Sequence, residues 1–382
     1  MVEKGSDVKM STGKKIKFIL FTLAFITVII ALLFELGLYI SKYESSYTRM
    51  KHFSTVQANW WTCDSVNGPR YVKDHAGPED SMFLKNETWY YNRLRMVNSQ
   101  GYHDKDEFSE IPGNSDSLRI LVAGDSFTWG ASADVDSSYV EVFERDLKQN
   151  RPTLVWNTGI PATGTSHAIF TTRKFLPVQH SNIVVLGFYT GNDFSDNLLP
   201  FNRLIFTQQA SCFNLWDYDR NFKPFEISKN EAVLKATGTY PEEELSFIQT
   251  LMAKSRFISF VSEMSTRIFN RFSFRRGKIK EQEYRMTSNY LKDLNEYVKA
   301  NHARLIVMVI PTVLDLKQRS PYYQNAISIL KELSIPYLET VELYSEDDYV
   351  NKIDGHWNNR GHIIAGHALS NYLLKEIPGK NQ

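Results

Sequence analysis

Arg119-Ile120-Leu121-Val122-Ala123-Gly124-Asp125-Ser126 is an apolar run that stops at a glycine, a carboxylate and a serine. Residues 120–123 are apolar without alternation, which fits a strand covered on both faces, the environment of a parallel sheet. Gly124 and Asp125 break the run, and Ser126 is left just beyond its carboxyl end. In open parallel sheets that edge is where ligands bind.

The same pattern recurs outward along the chain. TLVWN (153–157), NIVVLGFY (182–189), RLIVMVIP (304–311) and IPYLET (335–340) read as further strands. Helical periodicity occupies 138–148, 166–175, 281–300, 322–333 and 359–375, and helical character dominates 242–272. Short apolar strands alternating with helices predict an α/β domain. The expected form is a three-layer α/β/α sandwich around a central, mostly parallel five-stranded sheet. The stretch at about 195–280 is longer than one crossover needs and reads as an insertion. Its basic end, Arg275-Arg276-Gly277-Lys278-Ile279-Lys280, fits a solvated turn, or contact with an acidic polymer or lipid headgroups.

Four sequence-distant segments then reach the same sheet edge. Ser126 follows the first strand, 157–164 the second, Gly191-Asn192-Asp193 the third, and Asp354-Gly355-His356-Trp357-Asn358 the fifth. A serine hydroxyl is a weak nucleophile, and an imidazole has the basicity to take its proton. His356 supplies that base and Asp354 a carboxylate to orient it, with Asp347 or Asp348 as alternatives. The oxyanion donors expected are the Ser126 N–H, a backbone N–H in the 161–164 turn (Ala162 or Gly164), and the Asn192 amide. Asp125 and Asp193 read as supports for the two turns. Trp129 and Trp357 flank the site, as walls for an acyl or sugar moiety or as plain packing. His362 and His367 show that a histidine in this region need not be catalytic.

Residues 18–40 are apolar apart from Glu35, and a helix of that length spans about 35 Å at ~1.5 Å per residue. A secretory signal has a shorter core and a small-residue cleavage site, so an uncleaved anchor is expected. Lys4, Lys9, Lys14, Lys15 and Lys17 precede the run, against Lys42, Arg49 and Lys51 after it. This places the N-terminus in the cytoplasm and the rest outside. The expected division is a tail at 1–17, a membrane anchor at 18–40, a juxtamembrane and irregular segment at 41–94, and a catalytic domain at 95–382. Trp60, Trp61, Trp89, Tyr90 and Tyr91 suggest that the irregular segment packs on that domain.

Across 382 residues, 44 Lys and Arg balance 43 Asp and Glu, which gives the chain no overall bias toward nucleic acid or acidic ligands. No nucleic-acid signature or phosphate-binding glycine loop appears, and no Cys/His cluster suggests a metal; no cofactor is implied. Cys63 and Cys212 are the two cysteines, either a disulfide in an oxidising compartment or two separate thiols.

Together these motifs resemble the SGNH (GDSL-type) hydrolase superfamily over roughly residues 95–376. GDSFTWG (124–130) is similar to its first block, NTGIPATGT (157–165) to its second, GND (191–193) to its third and DGHWNNRGH (354–362) to its last. Asn98-Ser99-Gln100-Gly101-Tyr102 resembles a lead-in of membrane-anchored bacterial members. Two departures stand out. The second block's usual glycine falls at Ala162, with Gly164 two residues on. Asp354 precedes His356 by two positions rather than three, as in periplasmic members that acetylate exopolysaccharides. The resemblance implies the flavodoxin-like SGNH fold and a serine esterase deacylating an envelope or exported glycan. Its alternatives are an O-acetyltransferase on extracytoplasmic polysaccharide, a lipase or thioesterase, and a catalytically silent module binding glycan or a partner. Protein partners are not implied.

Overall fold

The computed structural model describes residues 12–43, 61–64, 68–71, 77–78, 94–95, 97–108, 116–161, 163–198, 215–218, 224–227, 255–258, 260–261, 264–265, 281–350 and 355–376. The chain divides into two compact units. One is Met1–Met50 with Glu242–Arg271, and the other is Lys51–Pro241 with Phe272–Gln382.

The larger unit is built on five strands: β1 (Leu118–Gly124), β2 (Thr153–Asn157), β3 (Ile183–Tyr189), β4 (Arg304–Ile310) and β5 (Tyr337–Glu339). Their spatial order is β5-β4-β3-β1-β2 and every pairing is parallel. The sheet is therefore wholly rather than mostly parallel, with the strand order of flavodoxin-like doubly wound folds. Each strand lies where its apolar run predicts.

Alternation along the strands divides the core in two. Leu121, Ala123, Val184, Leu186, Phe188, Leu305, Val307 and Val309 face one side. They pack on α3 (Thr165–Gln179), α4 (Glu281–Ala300) and α5 (Pro321–Glu332). Ile120, Val122, Ile183, Val185, Ile306, Met308 and Ile310 face the other. There they meet α2 (Tyr139–Lys148) and α6 (Asn359–Glu376). Burial on both faces explains why these strands read as unbroken apolar runs. Helix starts follow local chemistry. Before α5, Ser320 Oγ accepts the Tyr323 N–H at 3.2 Å and Pro321 opens the helix, where its missing N–H costs nothing. Antiparallel pairs outside the sheet join 61–64 to 68–71, 77–78 to 94–95 and 215–218 to 224–227.

The smaller unit contains α1 (Thr12–Ile40), long and apolar enough to cross a membrane and with none of its apolar window buried. It starts before the apolar run, through Lys14, Lys15 and Lys17. Lysine is a good helix former, and its stem can lie along apolar surface while the ammonium reaches water. Beside α1, residues 256–258, 260–261 and 264–265 are helical, part of the stretch read as helix from sequence. Cys212 and the Cys63 side chain lie outside the described residues, as do the aromatics at 60 and 89–91 and the basic run at 275–280.

Candidate active site

The turn that carries Ser126 is a tight fit between β1 and β3. After Gly124 the chain enters a one-turn helix, Ser126–Trp129, whose first N–H groups have no intrahelical acceptor. Asp125 caps it, accepting the Phe127 N–H at 2.9 Å. The turn presses onto the strands so closely that a Cβ on Gly124 would stand 2.2 Å from Thr128 Oγ1 and 2.8 Å from the Gly187 carbonyl oxygen. Thr128 Oγ1 and Tyr139 Oη share a hydrogen bond of 2.8 Å beneath.

His356 approaches on a different loop. Its carbonyl accepts the Val350 N–H at 2.8 Å, and an antiparallel bridge pairs Tyr349 with Trp357. Tyr349 Oη donates to the Pro311 carbonyl at 3.0 Å, tying the loop to the end of β4. Gly355, at φ +76°, supplies the left-handed turn into the histidine. The imidazole lies over Phe127 with ring centres 5.1 Å apart, and Phe127 is braced by Tyr189 and Trp357. The result is a distance of 2.8 Å between His356 Nε2 and Ser126 Oγ, with both residues half-buried and within reach of solvent.

Asn192 follows β3, the strand beside β1. One of its amide hydrogens goes to Asp196 Oδ2 at 2.6 Å, which leaves the second available and orients the group. Gly164 N-caps α3 and is half-buried; a Cβ there would stand 2.6 Å from Asn197 Oδ1. Asp354 and Ala162 lie outside the described residues.

Three buried carboxylates surround this edge: Asp125, Asp193 and Asp196. Burial pushes the Asp125 carboxyl up to about 7 against the opposing Phe127 N–H and His356, with the charge of Asp196 adding to the rise. Burial, then the charges of Asp125 and Asp196, hold Asp193 well above the usual carboxylate range. Asp193 also accepts the Tyr189 N–H at 2.9 Å, closing the turn that presents Asn192.

Other residues have different work. Asp348 accepts the Ser345 N–H and hydroxyl at 2.7 and 2.9 Å and pairs with Arg360 at 3.0 Å, so its oxygens cap a turn. Trp129 and Trp357 are both fully buried, which leaves neither a face to offer a substrate; packing accounts for them. His362 is buried against the Ala131 carbonyl at 3.1 Å, and His367 pairs with Asp146 at 2.6 Å. Among the described residues no three of His, Cys, Asp and Glu gather to hold a metal ion.

Sequence reading missed the scaffold behind the site. Asn157 at the end of β2 donates through Nδ2 to the Thr128 carbonyl at 2.9 Å and accepts the Gly159 N–H at 3.0 Å. Its own N–H is held by Asp104 Oδ2 at 2.7 Å. In the lead-in, Asn98 Oδ1 accepts the N–H groups of Gln100 and Tyr102 at 3.1 and 3.0 Å. The signal was an asparagine directly at a strand end, where an apolar residue would extend the core.

No family model and no curated protein matches the chain. Among solved structures it is similar to the esterase EstA from Pseudoalteromonas sp., at 9% identity and TM-score 0.38 over 69% of this chain and 100% of that one. It is similar to the lipase/acylhydrolase from Enterococcus faecalis at 12% identity and TM-score 0.38, over 69% and 99%. A two-domain esterase active on acetylated mannans gives 11% and 0.39 over 68% and 49%. Likeness at this level leaves the chemistry to be argued from the chain's own residues.

Proposed function

We propose that this protein is a membrane-anchored serine esterase of the SGNH type that works through an acyl-Ser126 intermediate. The observation that carries the reading is the 2.8 Å contact of His356 Nε2 with Ser126 Oγ at the carboxyl edge of a parallel sheet. In this reading His356 takes the Ser126 proton as the oxygen attacks an ester carbonyl, and returns it to the departing alcohol. The Ser126 N–H, the Asn192 amide and a backbone N–H at Ala162 or Gly164 receive the oxyanion, each worth about 10²–10³ in rate. Asp354 orients the imidazole and stabilises its charged form. Water then releases the acyl group; a sugar hydroxyl in its place makes the reaction a transfer.

The expected substrate is an acetylated envelope or exported glycan. Residues 18–40 anchor the protein, the 1–17 tail is cytoplasmic, and the catalytic domain at 95–382 lies in the periplasm or outside. These assignments rest on the apolar helix, the lysine bias and the Asp354-Gly355-His356-Trp357 pattern.

The test is a fluorophosphonate added to full-length protein in mild detergent, followed by intact mass. One adduct on the wild type, absent from Ser126→Ala, is the expected result. A folded wild type that takes no adduct overturns the reading. Acetate release from acetylated glycans, compared with acetyl transfer to added sugar, then assigns the acceptor.

A further inference from the structure

Glu35 is the one charged residue of an otherwise apolar run, and the structure gives it partners far along the chain. Its carboxylate accepts the Ser255 hydroxyl at 2.8 Å, the Arg256 N–H at 2.9 Å and the Phe257 N–H at 2.8 Å. Ser255 Oγ in turn accepts the Ile258 N–H at 3.2 Å. Glu35 and Ser255 therefore cap the helical residues that begin at 256. Aromatic contacts close around the cap. Phe34 meets Phe257 and Phe260 at 5.7 and 5.6 Å, and Tyr43 meets Phe260 at 5.7 Å. The Arg256 guanidinium lies 4.8 Å from the centre of the Tyr39 ring.

Depth decides what this means. Glu35 lies about 7 Å short of the C-terminal end of α1 at ~1.5 Å per residue. A carboxylate there is costly unless donors satisfy it, so the chain that caps onto it shares its depth. Val261 and Met264, both helical, are exposed, 44% and 38%. Phe260, next to Val261 in sequence, packs on Phe34 of α1, a helix itself unburied along its apolar length. Tyr39 and Arg256 meet at the level where aromatic and basic side chains belong at a membrane surface.

We propose that the helical residues 256–258, 260–261 and 264–265 lie in the membrane interface at the C-terminal end of α1, held there by Glu35, with Val261 and Met264 against lipid. The occupant of that face is the phospholipid bilayer. The smaller unit thus has a second membrane contact beside α1.

Full-length protein in vesicles of phosphatidylcholine and phosphatidylglycerol tests this. A benzophenone amino acid replaces Val261 or Met264, with Leu32 as the in-membrane position and Lys148 on α2 as the control. Irradiation is expected to give phospholipid adducts at 261, 264 and 32 and none at 148. Lipid adducts at 32 alone, or protein–protein adducts at 261 and 264, overturn the proposal. Glu35→Ala should lower the lipid yield at 264 about fivefold, the weight of one lost cap, and leave 32 unchanged. An unchanged yield at 264 overturns the role of Glu35. Glu35→Gln, which keeps one acceptor oxygen, should fall between.

Discussion

Asn157 joins two loops that share no chain connection, donating to the Thr128 carbonyl at 2.9 Å and accepting the Gly159 N–H at 3.0 Å. It fixes the Ser126 turn against the start of the segment proposed to supply an oxyanion donor. Asn157→Ala leaves the Thr128 carbonyl and the Gly159 N–H buried without this partner, at about 1–3 kcal/mol for each group so stranded. The expected outcome is a lower thermal midpoint and slower fluorophosphonate labelling of Ser126, read by a melt and by timed intact mass. Labelling at the wild-type rate would show that the turn holds its shape alone.

His356→Ala removes the proposed base. Labelling should slow by about 10²–10⁴, the range for general-base help, with the melting temperature close to wild type.

Asn192→Ala and Asp196→Ala separate donor from holder. Losing the Asn192 amide should cost about 10²–10³ in kcat with little change in KM, as expected of a group acting on the transition state. Asp196→Ala removes the 2.6 Å contact that aims the amide, so a smaller fall in kcat is expected. Equal losses in the two variants would mean that the carboxylate does more than hold the amide.

Gly124→Ala places a methyl 2.2 Å from Thr128 Oγ1 and 2.8 Å from the Gly187 carbonyl. The backbone oxygen cannot step aside as a side chain can. Overpacking of this kind costs about 1–3 kcal/mol, occasionally more, and a clear drop in melting temperature is expected.

Stability should depend on pH through the buried carboxylates. Asp125 is raised to about 7 and Asp193 also lies above the ordinary range, both chiefly by burial. Between about pH 4 and 7 the native state keeps protons that the unfolded chain has released, so stability falls as pH rises through that window. Thermal midpoints measured at pH 5 and pH 7.5 should show the decline, and Asp125→Asn should reduce it. A midpoint that rises across the same interval would contradict the burial argument.

The strands were legible because a parallel sheet buries both faces, and Ile120 to Ala123 or Leu305 to Ile310 can be read as nothing polar for a whole element. The meeting of Ser126 with His356 was legible because a parallel sheet brings the segments that follow its strands to one edge. Asp104 holding Asn157 was not: the two are 53 positions apart and each alone passes for a turn residue. Trp129 could be read as a wall or as packing, since a sequence neighbour of Ser126 need not face what Ser126 faces; its complete burial decides for packing. Glu35 read only as the charged residue of an apolar run, because its donors begin 220 positions later.

That interval also sets an order of events during synthesis. At roughly 5–20 residues per second, Ser255 leaves the ribosome on the order of ten to forty seconds after Glu35. The first helix is therefore made with its acceptor waiting, and its compact unit is completed only by residues synthesised much later. A chain stripped of its first helix for convenience of purification would lack that acceptor, and its segment from 255 onward would have to find another cap.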